Sequence, residues 1–440
     1  MTLAEILKSS KTVTLAMGKG SITLKGAEVL AEAAKLSDAL TTISFAPGAD
    51  LPVKQLKGIE AVYELDVSNM ELGMLGGVVV SKLIEKNMVL TSLKLRSNDI
   101  GVEGGKALAK VLTGGGLVSL DVGNNGIGEE GARAFAEALQ ANAMLHSLGL
   151  SANEIGDNGA AAMGELLKGN TVLTAVDLSW NEIGEKGAEA LATTLALSSS
   201  LANLDLSDNN LGRGGAKKVG EALKHNTGLA HLSLGTNNIG PEGAIAIAEA
   251  LMTNKGVATL DMCSNGIDAE GGIAIGKMLE VNSALRSLDL SRQSNLFGQG
   301  GICIEGSKAI AAALNVNKML NAIDIGSNSL DEPAALSIVR MAQRHDKLAR
   351  LGLASCGIGQ NGAQEIARYI ESSKVLTKLN LAHNNIDDDG AATLAKALKR
   401  NTALVTLDLK LNPITDKDVM TLIEARLRRI SRSTSKKDEL

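Results

Sequence analysis

The chain has 440 residues, a formal net charge of −5 and six aromatic side chains, so its core must be built from leucine, isoleucine, valine and alanine. The charge gives no reason to expect nucleic acid, and no apolar run reaches the roughly 20 residues of a membrane span. Three scattered cysteines, Cys263, Cys303 and Cys356, argue against a disulfide framework and favour a reducing compartment.

Residues 1–11 predict a short N-terminal capping helix, with Leu3, Ile6 and Leu7 turned toward the first repeat. A repeat array needs such a cap because its first layer would otherwise leave an apolar face in water. The same segment lacks an unbroken apolar core and a small-residue cleavage site, so we expect no secretory signal there.

Between residues 12 and 415 the chain repeats one sequence pattern, a short strand followed by a corner and a helix. In the stretch 173–200, Leu173, Val176 and Leu178 have strand spacing, a corner follows, and apolar residues then recur at helical spacing. One such unit cannot bury its own apolar side, so neighbouring units must stack into a solenoid with a continuous core. We expect about fifteen units with parallel strands, beginning at Thr12, Leu40, Val62, Leu90, Leu117, Leu145, Leu173, Leu201, Leu229, Val257, Leu285, Leu320, Leu348, Leu376 and Leu404.

Most units start 28 residues after the previous one, but three steps depart: 22 residues from Leu40, 27 from Leu90 and 35 from Leu285. The second unit, 40–61, has only 22 residues, and Pro47 and Pro52 argue against a full helix in it. The eleventh unit is 35 residues long because 291–307 carries an insertion that includes Phe297. This insertion fits either a tolerated surface loop or a partner-binding protrusion.

Three columns of small or polar residues repeat together with the leucines. Corner asparagines, which Cys356 replaces once, can satisfy backbone groups of the turn: Asn98, Asn125, Asn153, Asn181, Asn209, Asn237, Asn265, Asn328, Asn384 and Asn412. Glycines near the start of each helix avoid crowding the next layer: Gly131, Gly159, Gly187, Gly215, Gly243, Gly271, Gly362 and Gly390. Asparagines just past each helix are expected to adopt a left-handed cap: Asn87, Asn142, Asn170, Asn226, Asn254, Asn282, Asn317 and Asn401.

The pattern ends in a predicted C-terminal capping helix, 416–430, and a flexible tail, 431–440. The helix would turn one apolar side inward, formed by Val419, Leu422, Ile423, Leu427 and Ile430. The last four residues, Lys437 to Leu440, resemble an ER-retrieval signal, which acts only on a protein already in the lumen. Without a secretory signal, we expect a cytoplasmic protein.

The repeated phrase, with its leucine, asparagine and glycine columns, resembles the ribonuclease-inhibitor-type leucine-rich repeat over about residues 12 to 415. The resemblance implies a curved α/β solenoid, or horseshoe, with parallel strands on the concave side and helices on the convex side. Similar proteins include NOD-like receptor repeats, Ran GTPase-activating protein and axonemal repeat proteins. Their shared activity is binding other proteins, which does not by itself choose among these roles.

Patterns that carry catalysis or cofactor binding are missing from the sequence. No phosphate-binding GxxxxGK[ST] motif occurs, and no nucleophile–base pair stands out. The five histidines lie in different repeats without metal-ligand spacing: His146, His225, His231, His345 and His383. We therefore expect no enzyme activity, no cofactor and no metal.

Strand residues that point away from the core define a candidate binding surface. One column is acidic, and it is either a solubility feature or an electrostatic guide for a basic partner: Asp66, Asp121, Asp177, Asp205, Asp261, Asp289, Asp324 and Asp408. The large residues of this surface are its candidate anchors: Tyr63, His146, Trp180, His231 and Arg286. The rest of the surface is mostly serine, glycine, alanine and threonine, which admits close approach.

Trp180 is the single tryptophan, and the core positions of its repeat are already filled, so we expect its indole to be exposed. Either it is a lone exposed aromatic without a role, or it is an anchor among Asp177, Asp205, Asp208 and His231. An aromatic among carboxylates suits a basic or arginine-bearing protein surface. We expect neither nucleic acid nor membrane as a partner.

The sequence therefore predicts a non-enzymatic intracellular scaffold for protein–protein interaction, in a cytoskeletal or ciliary assembly. A GTPase activator resembling Ran GTPase-activating protein is one alternative, although the chain ends in a basic stretch where that family has a long acidic tail. A NOD-like-receptor-type regulator reduced to its repeats is another alternative.

Overall fold

A computed structural model describes residues 13–17, 23–294 and 300–438, with side chains up to residue 432. The chain forms two compact units, Met1–Leu211 and Gly212–Leu440. The capping helix that we expect at 1–11 lies outside the described residues, as does Phe297 of the insertion.

In the first unit, the described strands are β1 Thr14–Ala16, β2 Thr42–Ala46, β3 Ala49–Pro52, β4 Glu64–Asp66, β5 Ser92–Lys94, β6 Ser119–Asp121, β7 Ser147–Gly149, β8 Ala175–Asp177 and β9 Asn203–Asp205. Its helices are α1 Leu24–Leu36, α2 Val53–Leu56, α3 Gly73–Ile84, α4 Gly101–Val111, α5 Gly128–Leu139, α6 Gly156–Gly169 and α7 Glu185–Leu195. Strands β4 to β9 pair in chain order and are all parallel.

In the second unit, the strands are β10 His231–Ser233, β11 Thr259–Asp261, β12 Ser287–Asp289, β13 Ala322–Asp324, β14 Arg350–Gly352, β15 Lys378–Asn380 and β16 Thr406–Asp408. The helices are α8 Gly212–Leu223, α9 Gly240–Leu251, α10 Ala269–Val281, α11 Cys303–Val316, α12 Glu332–Gln343, α13 Gln360–Ser372, α14 Asp388–Leu398 and α15 Lys417–Asp438. Strands β10 to β16 also pair in chain order and parallel. This alternation of parallel strands and helices confirms the predicted α/β solenoid.

The core of each repeat is made by the leucine columns. In the repeat that begins at Leu173, the side chains of Leu173, Val176, Leu178, Ile183 and Leu191 are all buried. Each strand from β4 to β16 is only three residues long, so its middle residue points into the core and the two flanking residues point away. This alternation creates the strand face of each unit.

The corner asparagines satisfy backbone groups of the turn, as predicted, and they also join successive repeats. The Oδ1 of Asn181 accepts the backbone N–H of Asn153 at 2.8 Å, and its Nδ2 donates to the Leu150 carbonyl at 2.9 Å. Gln293, which we did not place in this column, does the same work beside the insertion, because its Oε1 accepts the Asn265 N–H at 2.9 Å. The insertion therefore interrupts the spacing of the repeats without interrupting this ladder of amides.

We expected the asparagines just past the helices to adopt a left-handed backbone, and this prediction is wrong. Asn170 has φ −80°, and Asn282 has φ −70°. The side chain explains their recurrence: the Oδ1 of Asn170 accepts the N–H groups of Val172 and Leu173, and its Nδ2 donates to the Leu139 carbonyl at 2.8 Å. These buried amides fix the turn that leads into the next strand.

The glycine column does mark crowded positions. A Cβ on Gly243 would lie 2.3 Å from Ile239 Cγ2 and 2.7 Å from the Ala216 Cβ. The contacts come from the glycine's own repeat and from the preceding helix, whereas we expected crowding against the next layer. The small residue allows consecutive helices to pack closely.

The first two repeats depart from the predicted run of parallel strands. β1 and β2 are parallel, but β2 and β3 are antiparallel, with Ile43 opposite Leu51. The three strands form a sheet of their own. The 22-residue unit is too short for a full strand–corner–helix phrase, and its Gly48, at φ +83°, instead makes a hairpin turn. Only the single-turn α2 follows.

The last helix runs from Lys417 to Asp438, beyond our expected boundary at residue 430 and through most of the segment expected to be a tail. Ile423 and Ile430 are buried, as a closing cap requires. Leu422 is exposed, so the apolar side is narrower than predicted.

Candidate functional site

The corner of the Trp180 repeat places the single tryptophan of the chain next to strand β8 of the first unit. Trp180 follows β8 by three residues, and its backbone N–H donates to the Ser207 carbonyl at 3.0 Å. Its φ is +57°, and the corner residues of the neighbouring repeats, Ala152 and Asp208, have φ +54° and +55°. The left-handed backbone is therefore imposed by the repeat and not by the tryptophan.

The indole of Trp180 is 63% exposed, as the sequence predicts. Left-handed backbone is unfavourable for a bulky side chain by on the order of 1 kcal/mol, and asparagine or glycine tolerates it best. The tryptophan therefore stabilises this corner neither by burying apolar surface nor by favouring the left-handed backbone.

Two carboxylates lie beside this corner on adjacent strands, because Asp177 of β8 and Asp205 of β9 are in register. Oδ1 of Asp177 accepts the Ser179 N–H at 2.9 Å and the Ser179 hydroxyl at 2.6 Å, and Asp205 repeats both bonds with Ser207. Each carboxylate thus closes its own turn with one oxygen. Asp208 is half-buried at the next corner.

The other residues that we expected on this surface are not gathered at the same place. Tyr63 lies immediately before β4, 70% exposed, at the start of the strand row. His146 comes immediately before β7, where its Nδ1 contacts the Met144 carbonyl at 2.8 Å. Because Trp180 follows the end of its strand, His146 and Trp180 lie at opposite edges of the row.

Two of the predicted site residues belong to the second unit. His231 is the exposed first residue of β10. Arg286 precedes β12, and its Nη1 donates to the carbonyls of Ser283 and Ala284 at 3.0 and 2.7 Å. The guanidinium is therefore folded onto its own chain, which weakens the case for Arg286 as an outward anchor.

The acidic column has a local structural role that neither of our two interpretations anticipated. In each of its strands, the Asp Oδ1 accepts the backbone N–H two residues later, as with Gly123 for Asp121 and Gly326 for Asp324. Hydrogen bonds from Ser68 lower the pKa of Asp66. Burial, reinforced by the neighbouring Asp289, raises the pKa of Asp324. Aspartates of this column that are in register on adjacent strands, such as Asp177 and Asp205, place negative charges side by side, and these can also guide a basic partner.

Arg96 is a strand-face residue that we did not single out from the sequence. Its Nη1 donates to the Ser151 hydroxyl at 2.7 Å and lies 4.0 Å from Asp121 Oδ1. The side chain crosses Gly123, where a Cβ would approach the same Nη1 to 2.4 Å. The sequence signal for this contact was Gly123, because several other repeats have a serine at the equivalent position. Arg96 partly offsets the negative charge on this side of the Trp180 corner.

Two further observations concern the described residues as a whole. None of the helices there has the length and apolar character needed to cross a bilayer. Within those ranges, no group of three or more histidine, cysteine, aspartate or glutamate side chains is placed to hold a metal ion.

Eight segments of the chain match the sequence family described as Leucine Rich repeat: residues 86–109, 117–136, 141–164, 169–192, 198–220, 225–248, 372–395 and 400–422. They include segments of both compact units. The comparison with curated proteins found no match.

Several solved structures resemble this chain. Rad7, in its complex with Elc1 from yeast, is 14% identical with a TM-score of 0.50, over 83% of this chain and 85% of that chain. An internalin from Listeria monocytogenes is 17% identical with a TM-score of 0.46, over 91% and 92% of the two chains. Leiomodin-1 actin-binding site 2 is 26% identical with a TM-score of 0.28, over 30% and 76%. The likeness to Rad7 shows the fold alone.

Proposed function

Since the chain is a leucine-rich repeat protein, we propose that it is a non-enzymatic binding protein whose ligand is another protein. Stacked repeats present a long row of outward-pointing strand residues, and a row of this kind suits a protein surface better than a small molecule. The 28-residue strand–helix unit supports assignment to the ribonuclease-inhibitor type of repeat.

The exposed Trp180 is the observation that carries the proposal for a site. Its left-handed backbone is unfavourable for folding, and its 63% exposed indole contributes little burial energy to offset that cost. A large aromatic that is costly to the fold and open to solvent is best explained by what it binds. Tryptophan is also the side chain most enriched among residues that dominate protein interfaces.

The charges around this corner specify the chemistry of the partner. Asp177, Asp205 and Asp208 bring three carboxylates to adjacent repeats, and Oδ1 of Asp177 and of Asp205 is already bonded to a serine. A guanidinium can stack on an indole and donate to the remaining carboxylate oxygens at the same time. The partner therefore presents an arginine or a comparable basic group at the centre of its contact surface.

Affinity capture from native cells with full-length protein tests this proposal when wild type and Trp180→Asn are compared. The variant keeps a residue that tolerates φ +57°, so its fold should be intact. Leu197→Ala is the matched control, because Leu197 is 66% exposed in the same unit but follows α7, away from the strand face. We expect the partner to bind Trp180→Asn about 30-fold more weakly, the effect of losing about 2 kcal/mol at a hot spot.

Undiminished binding by Trp180→Asn, or equal loss in Leu197→Ala, would refute the site. The identity of the captured protein then decides the setting. Our proposal of a cytoskeletal or ciliary assembly requires that the captured proteins be tubulin, dynein-associated proteins or related proteins. A small GTPase would favour the GTPase-activator alternative, and an immune adaptor the regulatory one.

We also propose a cytoplasmic location. Its support is chemical: Cys263, Cys303 and Cys356 are all free thiols in the fold. Unpaired cysteines are typical of reducing compartments. Fluorescence imaging of the protein tagged at an internal exposed turn tests the location, and accumulation in the secretory pathway would contradict it.

A further inference from the structure

The strand face of the second unit contains a hollow of about 380 Å³ in which charges of both signs are held apart. At one side stand Asp289 and Asp324, the last residues of β12 and β13, which are in register. At the other side stand Arg350 and Lys378, the first residues of β14 and β15, also in register. Small residues such as Gly352 form the floor between them.

Each of the two carboxylates uses one oxygen to accept a hydrogen bond from the backbone of its own turn. Oδ1 of Asp289 accepts the Ser291 N–H at 2.9 Å, and Oδ1 of Asp324 accepts the Gly326 N–H at 2.9 Å. Asp324 leans over Gly352, where a Cβ would lie 2.0 Å from its carboxyl carbon. Together with burial, the charge of Asp289 helps to raise the pKa of Asp324, and Arg292 opposes this effect only in part. A cation supplied by a ligand would further reduce the repulsion between the two carboxylates.

The two cations lack a compensating charge of their own. Both side chains are exposed, and neither has a carboxylate within 4.0 Å among the described residues. Asp408 lines the far edge of the hollow, where its Oδ1 accepts the Lys410 N–H at 3.0 Å. The hollow therefore offers an acidic pair and a basic pair that form no ion pair with each other among the described residues.

The sheet geometry sets the distance between the two pairs. They are offset by two strand spacings and by two residues along the strands, which gives about 12 Å between their centres. In an extended peptide, residues i and i+4 point to the same side and lie about 13 Å apart. A segment with one basic and one acidic residue at this separation would match both pairs at once.

We propose that this hollow binds an extended segment of a partner protein that carries an arginine or lysine and, four residues away, an aspartate or glutamate. The basic residue pairs with Asp289 and Asp324, and the acidic residue pairs with Arg350 and Lys378. The small side chains between the pairs let the peptide backbone approach the sheet. The site lies within the second unit and does not depend on Trp180.

Fluorescence anisotropy with full-length protein and a labelled, terminally blocked Ser-Arg-Thr-Ser-Thr-Glu-Ser peptide tests the proposal. Two matched peptides replace either the arginine or the glutamate by glutamine, and each should bind about tenfold more weakly. The double variant Arg350→Glu, Lys378→Glu should lose the original peptide. It should instead prefer a peptide with arginine at both charged positions.

Two control variants separate this site from general charge effects. Asp408→Asn and Trp180→Asn should each leave the affinity within about twofold, because neither side chain belongs to the two pairs. Thermal unfolding of the charge-reversed variant should match wild type, since both altered residues are exposed. No binding of the two-charge peptide, equal binding of the glutamine peptides, or no change of preference on charge reversal would each overturn the proposal.

Discussion

The side-chain Oδ1 of Asn153 accepts the backbone N–H of Asn125 at 3.0 Å, so a single buried amide joins two successive repeats. The same side chain donates through Nδ2 to the carbonyls of Val122 and Leu150, both at 3.0 Å. These bonds reach backbone groups that the three-residue strands leave without a ladder partner. The coupling between repeats therefore depends on polar side chains as well as on leucine packing.

Asn153→Ala should lower the free energy of unfolding by about 3 kcal/mol or more, because several buried donors and acceptors lose their partners together. Asn158→Ala is the matched control: Asn158 lies in the same repeat, and its exposed Nδ2 contacts Glu129 at 3.0 Å. Its loss should change stability by at most about 0.5 kcal/mol. Urea denaturation of both variants measures the difference, and similar midpoints would contradict the role assigned to Asn153.

Two glycines of helix α6 should respond in opposite directions to alanine. A Cβ on Gly159 would lie 2.3 Å from Ile155 Cγ2 and 3.2 Å from the Ala132 Cβ, whereas a Cβ on Gly169 meets nothing within 4 Å. Gly159→Ala should destabilise the protein by about 1–3 kcal/mol through overpacking. Gly169→Ala should be neutral or stabilising by up to about 1 kcal/mol. Thermal unfolding of the two variants checks the contrast, and a stabilised Gly159→Ala would show that the helices can separate without cost.

His345 occupies a position that asparagine holds in most other repeats, and it fits the position less well. Its Nδ1 accepts the Lys347 N–H at 3.2 Å, but its buried Nε2 has no hydrogen-bond partner among the described atoms. In His345→Asn, the amide can donate to the carbonyls of Leu314 and Asn317, the equivalents of the groups that Asn170 and Asn282 reach. The substitution should stabilise the protein by about 1 kcal/mol at pH 8.

The gain from His345→Asn should grow as the pH falls. Burial lowers the pKa of His345 in the folded state, Lys318 and Lys347 add to the shift, and a backbone contact of Asn317 and the charge of Asp346 partly oppose it. Below the ordinary histidine pKa of 6.5 the unfolded chain therefore binds a proton before the folded chain does, which favours unfolding of the wild type. Denaturation at pH 8 and pH 5.5 should show the wider gap at pH 5.5; a constant gap would mean that His345 titrates alike in both states.

The thiols of Cys263 and Cys356 should be nearly inert in the folded protein. Burial raises the pKa of both to about 12, with further contributions from the carboxylates of Asp261 and Asp324 respectively. Relative to an ordinary thiol, alkylation by iodoacetamide at pH 8 should be about a thousandfold slower, because the thiolate is the reactive form. Site-resolved mass spectrometry measures the rates, with guanidinium-unfolded protein as the control in which the cysteines react normally. Fast labelling of Cys356 in the native state would show that its repeat opens readily.

The repeat columns explain why so much of the fold followed from the sequence. Leu173, Val176 and Leu178 recur with a fixed period, and burial of such a pattern has one regular solution, in which identical units stack. The corner amide at Asn181 was predictable for the same reason. The exposure of Trp180 also followed, because the core positions of its repeat were already occupied.

The predictions that were wrong concern residues whose role depends on their neighbours in space. The direction of β3 was set by a short unit and a hairpin turn at Gly48, which the 28-residue period does not describe. The asparagines after the helices looked like left-handed caps until their side-chain bonds were known. Arg286 and Arg96 are both long cations beside strands, yet one folds back on its own chain and the other crosses Gly123.

By itself, the sequence determined the repeated strand–helix architecture, the leucine core and the amide ladder, because each depends on contacts between equivalent positions of adjacent repeats. Only the tertiary structure decided which charged side chains share a surface. Asp324 and Arg350 belong to different columns and different repeats, and their common hollow arises from strand register and from the missing side chain of Gly352. Side-chain direction, local burial and the space left by small residues are properties of the assembled sheet, and no single column of the sequence contains them.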